Sequence, residues 1–171
     1  DQGWSYARVP QPPSIWRGRD AVPTNIWRVM EVSSEETSAE KADASKAFDG
    51  DPRTFWHSEW SKRQAPYPHD LQIDLGTSLD VSGFRLLPRQ TPPQNGRPRH
   101  FQLFLTRNPD DWGRPICEGD IPDSPDLFTA KFEPAKAHYM KLVVTDGHRT
   151  GEPFLALAEI GVAAGTLHRE E

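Results

Sequence analysis

The stretch Lys46–Trp60, KAFDGDPRTFWHSEW, decides how this chain is read. Oxygen-bearing residues recur at short spacing in Asp49, Asp51 and Thr54, and a single His57 follows among Phe55, Trp56 and Trp60. Asp49-Gly50 is a turn signal on its own, because Asp bonds to nearby backbone and Gly accepts positive φ. The plainest reading is a turn between a short helix and a strand. The spacing allows more. Residues 46, 49, 51 and 54 can all direct oxygens inward if the loop wraps a centre. Carboxylate, hydroxyl and carbonyl oxygens are hard donors, which suits Ca²⁺ and its shell of roughly 6–8 oxygens. The loop is not an EF-hand: Thr54 stands where that loop needs Gly, and Trp60 where it needs Glu. So short a loop cannot close the shell alone. The remote carboxylate would come from Glu159 in ALAEIGV (156–162), an apolar run where an unpaired charge would be costly.

Around this stretch the chain reads as short strands. IWRVMEVS (26–33) is β-branched and roughly alternating, and LQIDLG (71–76) alternates strictly, with Leu71, Ile73 and Leu75 on one face. VSGFRLLPR (81–89), HFQLFLTR (100–107), LFTAKF (127–132), HYMKLVVTD (138–146) and ALAEIGV (156–162) follow. The one helix-like stretch is SAEKADASKAF (38–48). Many short strands without a βαβ rhythm predict an all-β fold, an antiparallel sandwich or jelly roll. Residues 1–27 form a Pro-rich N-terminal arm carrying VPQPPS and AVPTN, residues 28–163 the body, and residues 164–171 a frayed tail.

The totals set limits. With 171 residues, 35% of them hydrophobic, and with 6 Trp and 8 Phe, the chain can build one core. A net charge of -5 argues against nucleic acid or an anionic membrane as the main partner. The single Cys117 cannot form an intrachain disulfide. No apolar run reaches the roughly 18 residues of a membrane span. Beginning at Asp1, the chain reads as a processed protein or a piece of a longer one.

Five segments taken in order, KAFDGDPRTFW, DLQIDLG, FRLLPRQ with NGRPRHFQLFLT, YMKLVVTD and FLALAEIGV, resemble the coagulation factor V/VIII type C, or discoidin-like, family. More narrowly they are similar to family 32 carbohydrate-binding modules, and the resemblance covers about residues 28–163. It implies a β-sandwich with one structural calcium. The ligands it implies are the backbone carbonyls of Lys46, Asp51 and Ala158, the carboxylates of Asp49 and Glu159, and the carbonyl and hydroxyl of Thr54. It also implies a galactose-type pocket beside the metal, made by His57, Trp60, Arg89, Asn95 and Phe154. An aromatic plane can take the C–H face of a galactose ring. His, Arg and Asn can meet its hydroxyls. The expected partners are galactose-containing glycans and the parent multimodular enzyme, with the module itself non-catalytic, monomeric, and secreted or at the cell surface. Galactose and N-acetylgalactosamine stay equally open.

Two other classes compete. His57, Glu59, His69 and Asp70 could suggest a metal hydrolase, but H-x-E is not H-E-x-x-H, and no nucleophile elbow or phosphate loop occurs. Asp49 and Asp51 are claimed by calcium, so no carboxylate pair stands free for glycoside cleavage. The alternative among relatives is a discoidin-type adhesion domain binding a protein or membrane surface, to which Arg89, Arg97 and Arg99 would contribute. Each pocket residue also has an ordinary reading: Arg89 paired with Glu59, Asn95-Gly96 as a simple turn, Trp60 or Phe154 as core.

Overall fold

A computed structural model describes residues 21–164. Seven strands occur among the described residues: β1 (Arg28–Val32), β2 (Trp56–His57), β3 (His69–Pro88), β4 (Pro98–Thr106), β5 (Cys117–Asp120), β6 (Phe128–Gly147) and β7 (Ala156–Ala164). All pairings are antiparallel. The ladder runs β2-β7-β3-β6-β4-β5, and β1 pairs the first part of β3. β3 and β6 pair along most of their length and carry register shifts at Asp74/Leu79 and Val81/Gly83. These bulges bend the long strands, so β3 meets β1 along its first half and β7 along its second, while the second half of β6 meets β4. The continuous ladder thereby closes over itself as a sandwich. Phe84 in the far half of β3 lies stacked 5.8 Å from Phe101 of β4, although β6 separates those strands in the ladder.

The alternation read in LQIDLG holds, with Leu71, Ile73 and Leu75 fully buried. Trp56, Phe84, Leu86, Met140, Leu142 and Leu157 complete the same core. The strands expected at 71–76 and 81–89 are one strand, and so are those at 127–132 and 138–146. Sequence patterning sees the interruption of alternation but cannot distinguish a bulge from a turn. Of the helix expected over 38–48, only a 3₁₀ turn at Ala44–Phe48 forms. The residues before it are held otherwise, by a bridge of Glu36 to Ala42.

The arm and tail fall largely outside the described residues. Residues 21–27 lie on the body: Val22 N–H donates to Val162 O at 3.2 Å, Thr24 Oγ1 donates to Phe48 O, and Trp27 is buried against Phe48. Residues 21–27, expected as part of the arm, therefore pack against the body.

Register positions the site. Pro88 pairs with Leu157 in the β3–β7 ladder, while Trp56 and His57 pair with Leu157 and Ala156. Three segments distant in sequence therefore end side by side: His57 with the loop after it, Arg89 just past β3, and Phe154 just before β7.

Candidate functional site: a polar-aromatic depression beside an acidic loop

His57, Trp60, Arg89, Asn95 and Phe154 line one depression of about 270 Å³, together with Glu40 and Pro93. His57 forms its floor. The ring centroid lies 5.7 Å from Phe154 and 6.4 Å from Trp60. Nδ1 is 2.6 Å from Ser58 O, and a carbonyl can only accept, so Nδ1 carries the proton and Nε2 is left as an acceptor. Burial pushes the His57 pKa below its ordinary value, which keeps the ring neutral.

Arg89 supplies the donors. Its side chain lies over Phe55, with Cζ 4.0 Å from the ring centroid, so Phe55 serves as the platform under the guanidinium. Three N–H groups are spent inside the protein, on Asn95 Oδ1 (2.8 Å), Thr91 Oγ1 (3.1 Å) and Pro92 O (3.2 Å). A guanidinium has five, so two remain for a ligand. Asn95 spends its oxygen on Arg89 and keeps its amide N–H groups. Arg89 thus pairs with Asn95 and not with Glu59. Gly96 is at φ +74°, and a Cβ there would come within 2.5 Å of Ala156 N, so the Asn95 loop can press against β7 only with Gly at 96.

The aromatic walls differ in burial. Trp60 is 38% exposed, whereas Trp56 is fully buried and donates its indole N–H to Ser34 O. Trp60 Nε1 donates to Glu40 Oε1 at 3.0 Å, which couples an acceptor to the ring. The Phe154 segment is pinned through its backbone: Tyr67 O–H donates to Phe154 O, His69 Nε2 to Pro153 O, and Leu155 N–H to Ser58 Oγ. His69 is therefore a buried strut, which removes it from the hydrolase constellation. Reading the sequence missed Glu40, because it lies in a charged, irregular segment with no motif around it. Pro93 and the buttress Tyr67 gave no signal either.

The Asp49 loop lies at the end of the 3₁₀ turn that contains Lys46, with Gly50 at φ +81°. Asp49 accepts from Asp51 N–H (2.9 Å) and from the Thr54 hydroxyl (2.5 Å). The Asp51 carboxylate turns outward to Arg53 and leaves its backbone carbonyl on the Thr54 side, 3.0 Å from Oγ1. Glu159, in β7 next to buried Ala158, is 1% exposed, and its Oε1 has no hydrogen-bond partner. Burial and the facing Asp49 carboxylate push its pKa up to about 10. Two facing carboxylates, one with an orphaned oxygen, fit a hard cation. Among the described residues no group of three or more His, Cys, Asp or Glu gathers as a metal cluster. A cation here would therefore depend on backbone carbonyls and the Thr54 hydroxyl to complete its shell.

Residues 30–160 match the model of the F5/8 type C domain. The chain belongs to the F5/8 type C family. A sialidase of Micromonospora viridifaciens is 36% identical over 135 residues, and a galactose oxidase of Gibberella zeae 34% over 145 residues. These alignments cover 78% and 83% of this chain, and the chain spans about a fifth of the length of these relatives (21% and 20%). Two Clostridium perfringens structures place this F5/8 type C domain with the family 32 carbohydrate-binding modules. One module, in complex with GalNAc-β-1,3-galactose, superposes with TM-score 0.75 at 30% identity, covering 84% of this chain and 99% of its own. Another, in complex with galactose, superposes with TM-score 0.71 at 26% identity, covering 84% and 98%. The sandwich expected from patterning and the family expected from the five segments both hold. No helix among the described residues is long and apolar enough to cross a membrane.

Proposed function

We propose that this F5/8 type C domain is a non-catalytic, calcium-stabilised module that binds terminal galactose-type sugars and holds an attached glycan-active enzyme on its substrate. The observation that carries the reading is the convergence of His57, Trp60, Arg89, Asn95 and Phe154 on one open depression. Its chemistry suits a sugar. Trp60 and Phe154 offer apolar faces to the C–H side of a pyranose. The acceptor His57 Nε2 and the spare Arg89 N–H groups present opposite polarities, which is what a hydroxyl needs. An axial O4 meeting both would be satisfied. An equatorial O4 would leave them unpaired, and selectivity against glucose follows.

A hard divalent cation held by Asp49, Glu159, the Thr54 oxygens and the carbonyls of Lys46, Asp51 and Ala158 would neutralise the two facing carboxylates. It would also tie the loop to β7. That role is structural and supports the His57 strand, which pairs β7 nearby. The relatives are enzymes of which this chain spans about a fifth, which supports a parent enzyme; secretion or display at the cell surface and a monomeric targeting role are part of the same proposal.

The test is calorimetric titration with galactose, N-acetylgalactosamine and glucose in the presence of calcium. A sugar of about 12 heavy atoms at roughly 0.3–0.4 kcal/mol each predicts a Kd near millimolar. Saturable binding of galactose or N-acetylgalactosamine without glucose supports the reading. Absence of binding by all three sinks the sugar assignment and favours an adhesion role.

A further inference from the structure

One buried acid belongs to neither the depression nor the Asp49 loop. Glu36 is 1% exposed and lies in the irregular segment after β1. Its carboxylate accepts five hydrogen bonds. Oε1 takes Trp60 N–H at 3.1 Å and Ser61 N–H at 2.7 Å. Oε2 takes Ser38 N–H at 2.9 Å, Ala39 N–H at 3.0 Å and Ser61 Oγ–H at 2.9 Å. Its own backbone N–H donates to His57 O at 2.9 Å.

The pattern spans two loops. One of them carries Glu40, directly after Ala39. The other carries Trp60. The two side chains then meet at the rim through the Trp60 Nε1–Glu40 Oε1 bond. Neither loop has regular backbone pairing of its own at these positions, so the carboxylate supplies what a ladder would. Backbone N–H groups bonded to a carboxylate make strong, charge-assisted contacts. These donors also hold the Glu36 pKa down at about 2, against the opposing effect of burial, so the group stays ionised.

We propose that Glu36 is a positioning residue of the sugar site, clamping the loops at 38–40 and 60–61 so that Trp60 and Glu40 stand as one preformed wall. Its effect on sugar affinity rests on the galactose reading above. Its effect on Trp60 does not. Ligand affinity gained by preorganisation is lost when the wall must be ordered on binding.

Glu36→Gln is the discriminating change. It keeps size and shape but places an amide N–H₂ against backbone donors on one of the two loops, so one loop is released whichever way the amide points. The experiment compares ¹H–¹⁵N spectra and galactose titrations of the wild-type, Glu36→Gln and Ser61→Ala chains. The expected result for Glu36→Gln is loss of exchange protection at the Trp60 indole N–H, retained amide signals from the β3–β6 ladder, and affinity about tenfold weaker. Affinity in Trp60→Ala should not weaken further when Glu36→Gln is added. Ser61→Ala, which removes one donor and leaves four backbone bonds, should show a smaller change in the same two readouts. It serves if Glu36→Gln does not fold. A lowered melting temperature with the Trp60 indole protection and the affinity of the folded protein unchanged would overturn the proposal. If the wild-type chain binds no galactose, the sugar reading falls, and the Trp60 indole still decides whether Glu36 positions the wall.

Discussion

Arg89→Lys tests the sugar site most sharply, because the structure separates what Arg89 does for the fold from what it keeps for a ligand. The guanidinium spends three N–H groups on Asn95, Thr91 and Pro92 and lies over Phe55. Lysine keeps the charge but not the fork, and it reaches at most one or two of those acceptors. Each internal bond contributes about 0.5–1.5 kcal/mol, and the site is half-exposed, so water replaces part of the loss. A stability cost of about 1–2 kcal/mol follows, equivalent to about 2–8 °C in Tm for a domain of this size. The ligand side costs more. On the proposed reading, two charge-assisted N–H donors would meet neighbouring sugar hydroxyls, at about 1.5–3 kcal/mol each, and lysine would recover one of them. The net loss of about 1.5–3 kcal/mol corresponds to about 10- to 150-fold in Kd. From a millimolar start, galactose binding should move to tens of millimolar or beyond. The assay is an NMR titration following the Asn95 side-chain amide, with thermal denaturation in parallel. Binding within twofold of wild type, in a chain that keeps its Tm, would refute the assignment of Arg89 as a ligand-binding residue.

Further predictions follow from the same geometry. Chelation should lower Tm by about 5–10 °C if calcium was present at roughly a hundred times its Kd, since that contributes about 2.7 kcal/mol and each kcal/mol is about 2–4 °C. Glu159→Gln should abolish this calcium response and melt above the chelated wild type, because the neutral isostere avoids the protonation that burial and the facing Asp49 force on Glu159 at neutral pH; differential scanning fluorimetry with calcium and EDTA reads both. Because burial depresses the folded pKa of His57 below the unfolded value, the unfolded chain binds the extra proton first. Stability from the neutral ring is complete above about pH 6.5 and is lost as pH falls below it, and galactose affinity falls with it as Nε2 is protonated; titrations at pH 7.5 and 5 check the sign, and His57→Gln should flatten the pH dependence. Gly96→Ala should destabilise by about 1–3 kcal/mol through positive-φ strain and the contact with Ala156 N, and it should weaken galactose binding more than an alanine at the open Gly113; Tm and Kd measured together show both.

Much of this molecule was legible in the residues. The alternation of Leu71, Ile73 and Leu75 required one buried sheet face, and the side chains obey it because strand periodicity is local geometry. Asp49, Thr54 and Glu159 could be singled out because an acid in an apolar run demands a partner, and the facing Asp49 is that partner. The pocket residues were legible only through the order of the five family segments; taken singly, His57 or Asn95 carries no such signal.

Other features were settled by tertiary structure. Whether the break at 77–80 was a turn or a bulge depended on β3 finding β1 and β7 on its two halves, which no local window contains. The proton of His57 sits on Nδ1 because Ser58 O happens to face it, and the two spare N–H groups of Arg89 are known only once Asn95, Thr91 and Pro92 have taken theirs. Glu40 lay inside the stretch expected as a helix, and Glu36 just ahead of it carried no signal. Their roles arise from contacts across about twenty residues of chain (Glu40 to Trp60, Glu36 to Ser61), where backbone donors without a ladder partner needed an acceptor. Periodicity and composition report which face of an element is buried. Which orphaned donor meets which acid is decided only when distant loops are brought to the same end of the sandwich.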